Sequence, residues 1–359
     1  MKGLLLPVIV VAFFALAAAC GEEATGPSST ASPTPSATPS PSFAPILQRA
    51  TPPVPLDATT VKLEDHEGWF TVNPETGEYQ PRPLFDGRAP SRLAGNRFAL
   101  MGEGGPRPAV LDAATNTITD IGPGWSGEVS PDGRYAAVIP ETEGPTLVVV
   151  EVESGKRFDL GEAGKPVQMA WSQDGRLALV KEGRLFMAQA PQWTPREVGP
   201  LPYFSPKWSP AGQWLAATAS DGIHLVSPDL KQDAVLLSSS AGLALPPGAT
   251  VSWSPDGHRL AFSASAGVYL VSIDTGEVTN VFPPSMSPIL PFWSPDGSAL
   301  AFVAPDSVSK TFGIWVAKAD GSGAYQITKG SAAVIGWRQE GIIAWIGPKL
   351  ILPQNFLSV

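Results

Sequence analysis

The chain has 359 residues, a formal net charge of −9 and only 16% charged residues, a balance that excludes a broad basic face for nucleic acid. Its Gly 36 and Pro 39, beside 43% hydrophobic residues, point to many short strands and tight turns around a sizeable core. The single cysteine, Cys20, lies near the start, so no disulfide braces the fold, and burial and strand pairing must hold it.

In chain order, Met1-Lys2 supplies a short positive start, and Gly3 to Ala19 is apolar apart from Pro7. Small residues, Ala17-Ala18-Ala19, then precede Cys20. The run is short for a membrane span and reads as an export signal. It resembles a bacterial lipoprotein signal peptide over 1–19, in which the equivalent of Cys20 becomes the lipidated N-terminus. Ala17 stands where that family more often has Leu. The resemblance implies an exported chain, anchored to the cell membrane through lipid on Cys20 and facing the extracytoplasmic side. Cys20 is then an anchor and not a nucleophile.

Residues 20–57 change to Ser, Thr, Pro and Ala, as in Ser32-Pro33-Thr34-Pro35-Ser36-Ala37-Thr38-Pro39-Ser40-Pro41. So few apolar groups cannot offset the entropy of ordering. The stretch reads as a semi-extended tether with polyproline character, with a reach of ~100 Å at ~3.1 Å per residue.

From 58 to 359 the chain is periodic. Trp253-Ser254-Pro255-Asp256-Gly257 recurs as Trp293-Ser294-Pro295-Asp296-Gly297, with looser copies at Val129, Trp171, Trp208 and Trp337 and the faintest near Ser91. The copies start 37 to 45 residues apart, the period of a four-stranded propeller blade. Pro presets φ, Asp suits the next place, and Gly tolerates positive φ, so the motif makes a tight turn. Around one copy, four short strands follow: Ala249 to Trp253, Leu260 to Phe262, Gly267 to Val271 and Glu277 to Val281, with a second turn at Asp274-Thr275-Gly276. Each is too short to stand alone, and radial stacking of such sheets buries both faces.

The ends complement each other. Gly68 to Glu78 aligns without a gap on Gly267 to Glu277 and supplies third and fourth strands, while Ala333 to Trp337 and Ile342 to Trp345 supply first and second strands. Six whole blades and this composite predict an all-β, seven-bladed β-propeller of four-stranded antiparallel sheets, closed by N-terminal strands pairing with C-terminal ones. Leu350-Ile351-Leu352 competes as one more strand.

The repeat resembles the TolB-type propeller repeat, a relative of WD-repeat blades. Phe292-Trp293-Ser294-Pro295-Asp296-Gly297, Leu300-Ala301-Phe302, Gly313-Ile314-Trp315-Val316 and Gln326-Ile327-Thr328 carry it. The resemblance covers about 62 to 346. It implies a periplasmic protein-binding platform, or a gating domain fused to a peptidase. The second role is not carried over, since no hydrolase stretch follows the repeats. Fold alone does not specify a ligand.

Residues suited to catalysis or metal binding are few. The three histidines, His66, His224 and His258, fall on or near third strands or a turn, away from one another, so no metal site and no cofactor is expected. Nucleophile-elbow, phosphate-loop and calcium-loop patterns are missing. No catalytic residue is expected. Asp132, Asp174, Asp256 and Asp296 read as turn residues bonding their own backbone. The tryptophans Trp171, Trp208, Trp253, Trp293 and Trp337 read as core wedges between blades.

Connections at the other end of the strands vary in length and carry Trp125, Tyr203, Phe204, Phe282 and Met286. Variable loops on a rigid ring suit recognition. These five residues are therefore the expected binding face, for a protein or a cell-envelope glycan. The expected role is an extracytoplasmic binding or scaffold propeller, monomeric and lipid-anchored, rather than an enzyme. The alternative is a propeller hydrolase or lyase working in the central channel.

Overall fold

The computed structural model describes residues 68–81, 88–92, 97–102, 109–112, 114–121, 124–140, 146–162, 167–199, 201–239, 243, 245, 249–264, 267–282, 289–305, 312–328, 332–339 and 341–346. The expected signal, Cys20, the tether, His66, Met286 and 350–352 lie outside them.

The described strands begin with β1 (Gly68–Val72) and β2 (Tyr79–Pro81). Blade one follows as β3 (Arg88–Arg92), β4 (Arg97–Gly102), β5 (Ala109–Asp112) and β6 (Thr117–Asp120). Blade two is β7 (Gly124–Val129), β8 (Tyr135–Pro140), β9 (Thr146–Glu151) and β10 (Arg157–Glu162). Blade three is β11 (Val167–Trp171), β12 (Arg176–Lys181), β13 (Arg184–Gln189) and β14 (Arg196–Glu197). Blade four is β15 (Tyr203–Trp208), β16 (Leu215–Ala219), β17 (Gly222–Val226) and β18 (Asp233–Ser238). Blade five is β19 (Val251–Trp253), β20 (Arg259–Ala264), β21 (Gly267–Ser272) and β22 (Val278–Phe282). Blade six is β23 (Ile289–Trp293), β24 (Ala299–Pro305), β25 (Phe312–Lys318) and β26 (Ala324–Gln326). The last two strands are β27 (Ala332–Arg338) and β28 (Gly341–Ile346).

These strands make seven four-stranded antiparallel sheets in a ring, an all-β propeller. Six sheets take their strands consecutively; the seventh runs β2-β1-β28-β27. In it β1 lies antiparallel to β28, with Gly68 opposite Ile346 and Val72 opposite Ile342. First strands of successive blades lie against one another near the axis.

The core sits between blades and not within them. Leu260 and Phe262 of blade five pack with Ile223 and Leu237 of blade four. Phe282 of blade five packs with Phe302 and Trp315 of blade six. Ile314 and Val316 of blade six pack with Val72 and Ile342 of blade seven. Middle strands therefore read as nearly unbroken apolar runs, such as Leu177 to Val180, because both faces are covered.

The repeated turn explains its own sequence. Gly257, at φ 75°, donates its N–H to the Ser254 carbonyl at 2.9 Å. Asp256 Oδ1 accepts the His258 N–H at 3.0 Å, and the buried Ser254 hydroxyl accepts the Arg259 N–H at 2.9 Å. Blades two and six repeat this arrangement at Asp132 and Asp296, and in blade three the Ser172 hydroxyl donates to Asp174 while Asp174 also takes the Arg176 side chain. The aspartates are turn residues, as their spacing suggested. Hydrogen bonds from Ser294 and the Ser298 backbone hold the Asp296 carboxyl down at about 2.

The tryptophans join blade to blade. The indole N–H of Trp171 donates to the Glu128 carbonyl at 3.1 Å, that of Trp208 to Ala170 at 3.1 Å, and that of Trp293 to Ser252 at 3.0 Å. In the opposite direction Arg259 donates to the Gly297 carbonyl at 3.1 Å and lies 4.8 Å from the centre of the Trp293 ring. Arg176 repeats this toward Gly212 and Trp208. The interfaces of blades three and four and of blades five and six thus carry apolar contact, a hydrogen bond and a cation over a ring.

Candidate functional site

The expected binding face changes when its residues are placed. Trp125 belongs to β7, Tyr203 and Phe204 to β15, and Phe282 to β22, so all four lie in strands and not in loops. The reason is local. β7 shifts register between Gly124 and Ser126, and β15 between Phe204 and Lys207, where Ser205 takes φ 51°. Such irregularities break the alternation of side chains, and the strand starts read as loop. Tyr203 and Phe282 are both 0% exposed and offer no ring to a partner. Phe282 lies edge-on to Phe302 at 4.7 Å and to Trp315 at 5.2 Å. Phe204 is half-buried.

Tyr203 belongs to a polar network that the sequence reading missed. Its hydroxyl donates to Asp233 Oδ2. Asp233 Oδ1 lies 2.7 Å from Nδ1 of His224, and Asp221 Oδ1 lies 2.9 Å from Nε2. The Tyr203 and His224 rings meet edge-on at 5.6 Å. Burial, then the hydrogen bond to Asp233, pushes the Tyr203 hydroxyl pKa well above its ordinary range. His224 is 3% exposed, and both of its nitrogens are committed, so it is a structural residue fastening β17 to β18. The available signal was positional. His224 stands where other third strands carry Phe70, Phe186, Tyr269 and Trp315.

The first strands place a few polar groups beside the axis. Gln168 Oε1 accepts the Ser205 N–H at 2.5 Å, bridging blades three and four. On β7, burial pushes the Glu128 carboxyl up to about 7, against the opposing pull of Lys207 on β15. A carboxyl near neutrality can exchange a proton. Among the described residues no group of three or more His, Cys, Asp or Glu is placed to hold a metal.

A cleft of about 720 Å³ lies at the short-turn end of blades five to seven. It is built from three copies of one motif. Ser252 and Trp253 come from β19, Phe292 and Trp293 from β23, and Trp337 and Arg338 from β27. Trp253 and Trp293 are buried, while Phe292, Trp337 and Arg338 are partly exposed. Blade seven departs from the motif, with Arg338-Gln339 where the others have Ser-Pro. The copy that breaks the repeat therefore brings the only charge among these lining residues. Its shape suits an inserted side chain or a short protein segment, with polar and aromatic groups at one rim.

No family model matches the sequence, and no curated protein does. Solved structures are similar in fold. A structure from a study of two prolyl endopeptidases is 16% identical with a TM-score of 0.51, over 68% of this chain and 43% of that one. Dipeptidyl peptidase 4 from Porphyromonas gingivalis is 12% identical with a TM-score of 0.50, over 70% of this chain and 48% of that one. A TolB structure from Agrobacterium tumefaciens is 17% identical with a TM-score of 0.40, over 61% of this chain and 87% of that one. The chain spans less than half the length of either peptidase. At these identities the likeness is one of fold.

Proposed function

We propose that the protein is a binding propeller of the cell envelope that engages a protein partner at the short-turn mouth of its ring. In this reading the chain is exported, lipid on Cys20 holds it to the membrane, and residues 20–57 set the ring away from the surface. The ring itself acts as a monomeric scaffold. The observation that carries the proposal is the cleft over blades five to seven. There the Trp-Ser-Pro of the two neighbouring copies becomes Trp337-Arg338-Gln339 in the third. A rigid ring with one chemically distinct sector is suited to orienting a partner.

The test is photo-cross-linking in cells from Gln339, an exposed residue at the cleft, in the full chain. A discrete protein adduct that disappears with Ser252→Arg, in a variant that still unfolds cooperatively, supports the reading. No adduct, or the same adduct from the exposed outer residue Lys156, overturns it. The anchor is read separately: Cys20→Ser should release the protein from membranes, and retention would remove the lipid.

Glu128 favours a second reading, hydrolysis or elimination in the central channel, because a near-neutral carboxyl can serve as acid or base. Turnover of an envelope polysaccharide that Glu128→Gln abolishes would establish it in place of the first.

A further inference from the structure

Blade three departs from the repeat at its outer turn. In blades two, five and seven the link from third to fourth strand closes through a glycine N–H donating four residues back. Gly155 donates to Glu151, Gly276 to Ser272 and Gly77 to Asn73, each at 2.9 Å, with φ of 68°, 70° and 73°. In blade three the same bond, also 2.9 Å, runs from Trp193 to Gln189, and Trp193 has φ 55°. A bulky residue in the left-handed region costs on the order of 1–2 kcal/mol. Trp193 is 1% exposed and lies edge-on to Tyr135 at 5.0 Å and to Trp171 at 5.6 Å. Its ring pins an enlarged turn, 190–195, against the boundary of blades two and three.

The pinned turn forms one wall of a cleft of about 370 Å³. Met187 and Pro228 give it apolar surface, and Gln189, Gln192, Thr194 and Arg196 give it polar groups. Two neighbouring cations are spoken for. Arg176, also at the cleft, is held by Asp174 and by the Gly212 carbonyl, and Arg184 is paired with Glu197. The side chains of Arg196, Gln189, Gln192 and Thr194 make no hydrogen bond or ion pair among the described residues. One uncommitted guanidinium therefore stands beside two carboxamides and a hydroxyl.

We propose that this cleft binds a carboxylated monosaccharide, with Arg196 taking the carboxylate through its planar fork and Gln189, Gln192 and Thr194 taking ring hydroxyls. A guanidinium matches a carboxylate two bonds at a time. Carboxamides and hydroxyls both donate and accept, as sugar hydroxyls do. The volume lies at the small end for ligand sites, suiting a single sugar ring over an extended chain. The site is separate from the channel mouth and does not depend on the partner proposed there.

The experiment is calorimetric titration of the full chain with glucuronic acid, glucose and N-acetyl-dialanine in parallel. Glucuronic acid should bind saturably, with glucose weaker by about tenfold or more, since charged hydrogen bonds carry the difference. Arg196→Gln should lower glucuronic acid affinity by about the same factor while thermal unfolding stays as in the parent, because the side chain is exposed. Arg196→Lys, which keeps charge and loses the fork, should fall between. Absence of saturable glucuronic acid binding overturns the proposal. So does equal binding by Arg196→Gln, or tighter binding of N-acetyl-dialanine.

Discussion

The indole N–H of Trp253 donates to the carbonyl of Lys207 at 2.8 Å, tying the fifth blade to the backbone of the fourth. Trp253→Phe keeps most of the packed ring and removes the donor, leaving that carbonyl without this bond. The expected loss is about 1 kcal/mol, read as a lower midpoint in urea unfolding at unchanged slope. Stability equal to the parent would mean the bond is idle.

Trp193 reverses an ordinary ranking. Alanine usually outlasts glycine as a replacement, yet at φ 55° glycine fits without strain. Both variants should lose about 3–5 kcal/mol of packing, but Trp193→Gly should be the more stable by about 1 kcal/mol. Paired denaturation curves decide it.

The repeat made the ring legible before its coordinates. Turn chemistry, strand number and the composite seventh sheet all follow from Trp253-Ser254-Pro255-Asp256-Gly257 and its copies, because each copy is locally self-consistent. Sites were less legible. Tyr203 read as a loop aromatic because the irregularity at Ser205 hides the start of β15. The partners of His224 come from Asp221, nearby, and from Asp233, nine residues on, a pairing no motif announces. Trp193 was invisible because nothing in the sequence marks it as the occupant of a glycine position.

Glu128 makes stability depend on pH. Folding raises its carboxyl from 4.5 to about 7, so the native chain holds that proton more tightly than the unfolded one. Its contribution is complete below pH 4.5 and is lost as pH rises through about 7. The residue keeps some exposed surface, which limits the effect to about 2 kcal/mol. Glu128→Gln should flatten the stability profile between pH 5 and 8, in buffers chosen at about those limits, and should be the more stable protein at the alkaline end.

Two glycines in blade seven test how tightly β1 is held. A methyl group on Gly341 would sit 2.6 Å from the Val72 carbonyl oxygen and 2.9 Å from Thr71, at φ 134°. One on Gly336 would meet nothing within 4 Å. Gly341→Ala should therefore lower the melting temperature by several degrees, about 2 kcal/mol or more, and Gly336→Ala should leave it nearly unchanged. Equal melting would show that the β1–β28 pairing contributes little to stability.

The split sheet also sets an order of events. Blades one to six can each form as their own stretch of chain emerges, but β1 and β2 must wait, edges unsatisfied, for strands made last. Contacts so distant in sequence are slow to form and leave early strands open to wrong pairing. Formation of the seventh sheet would be gated by the arrival of β27 and β28, and a premature stop before them would leave β1 and β2 without partners.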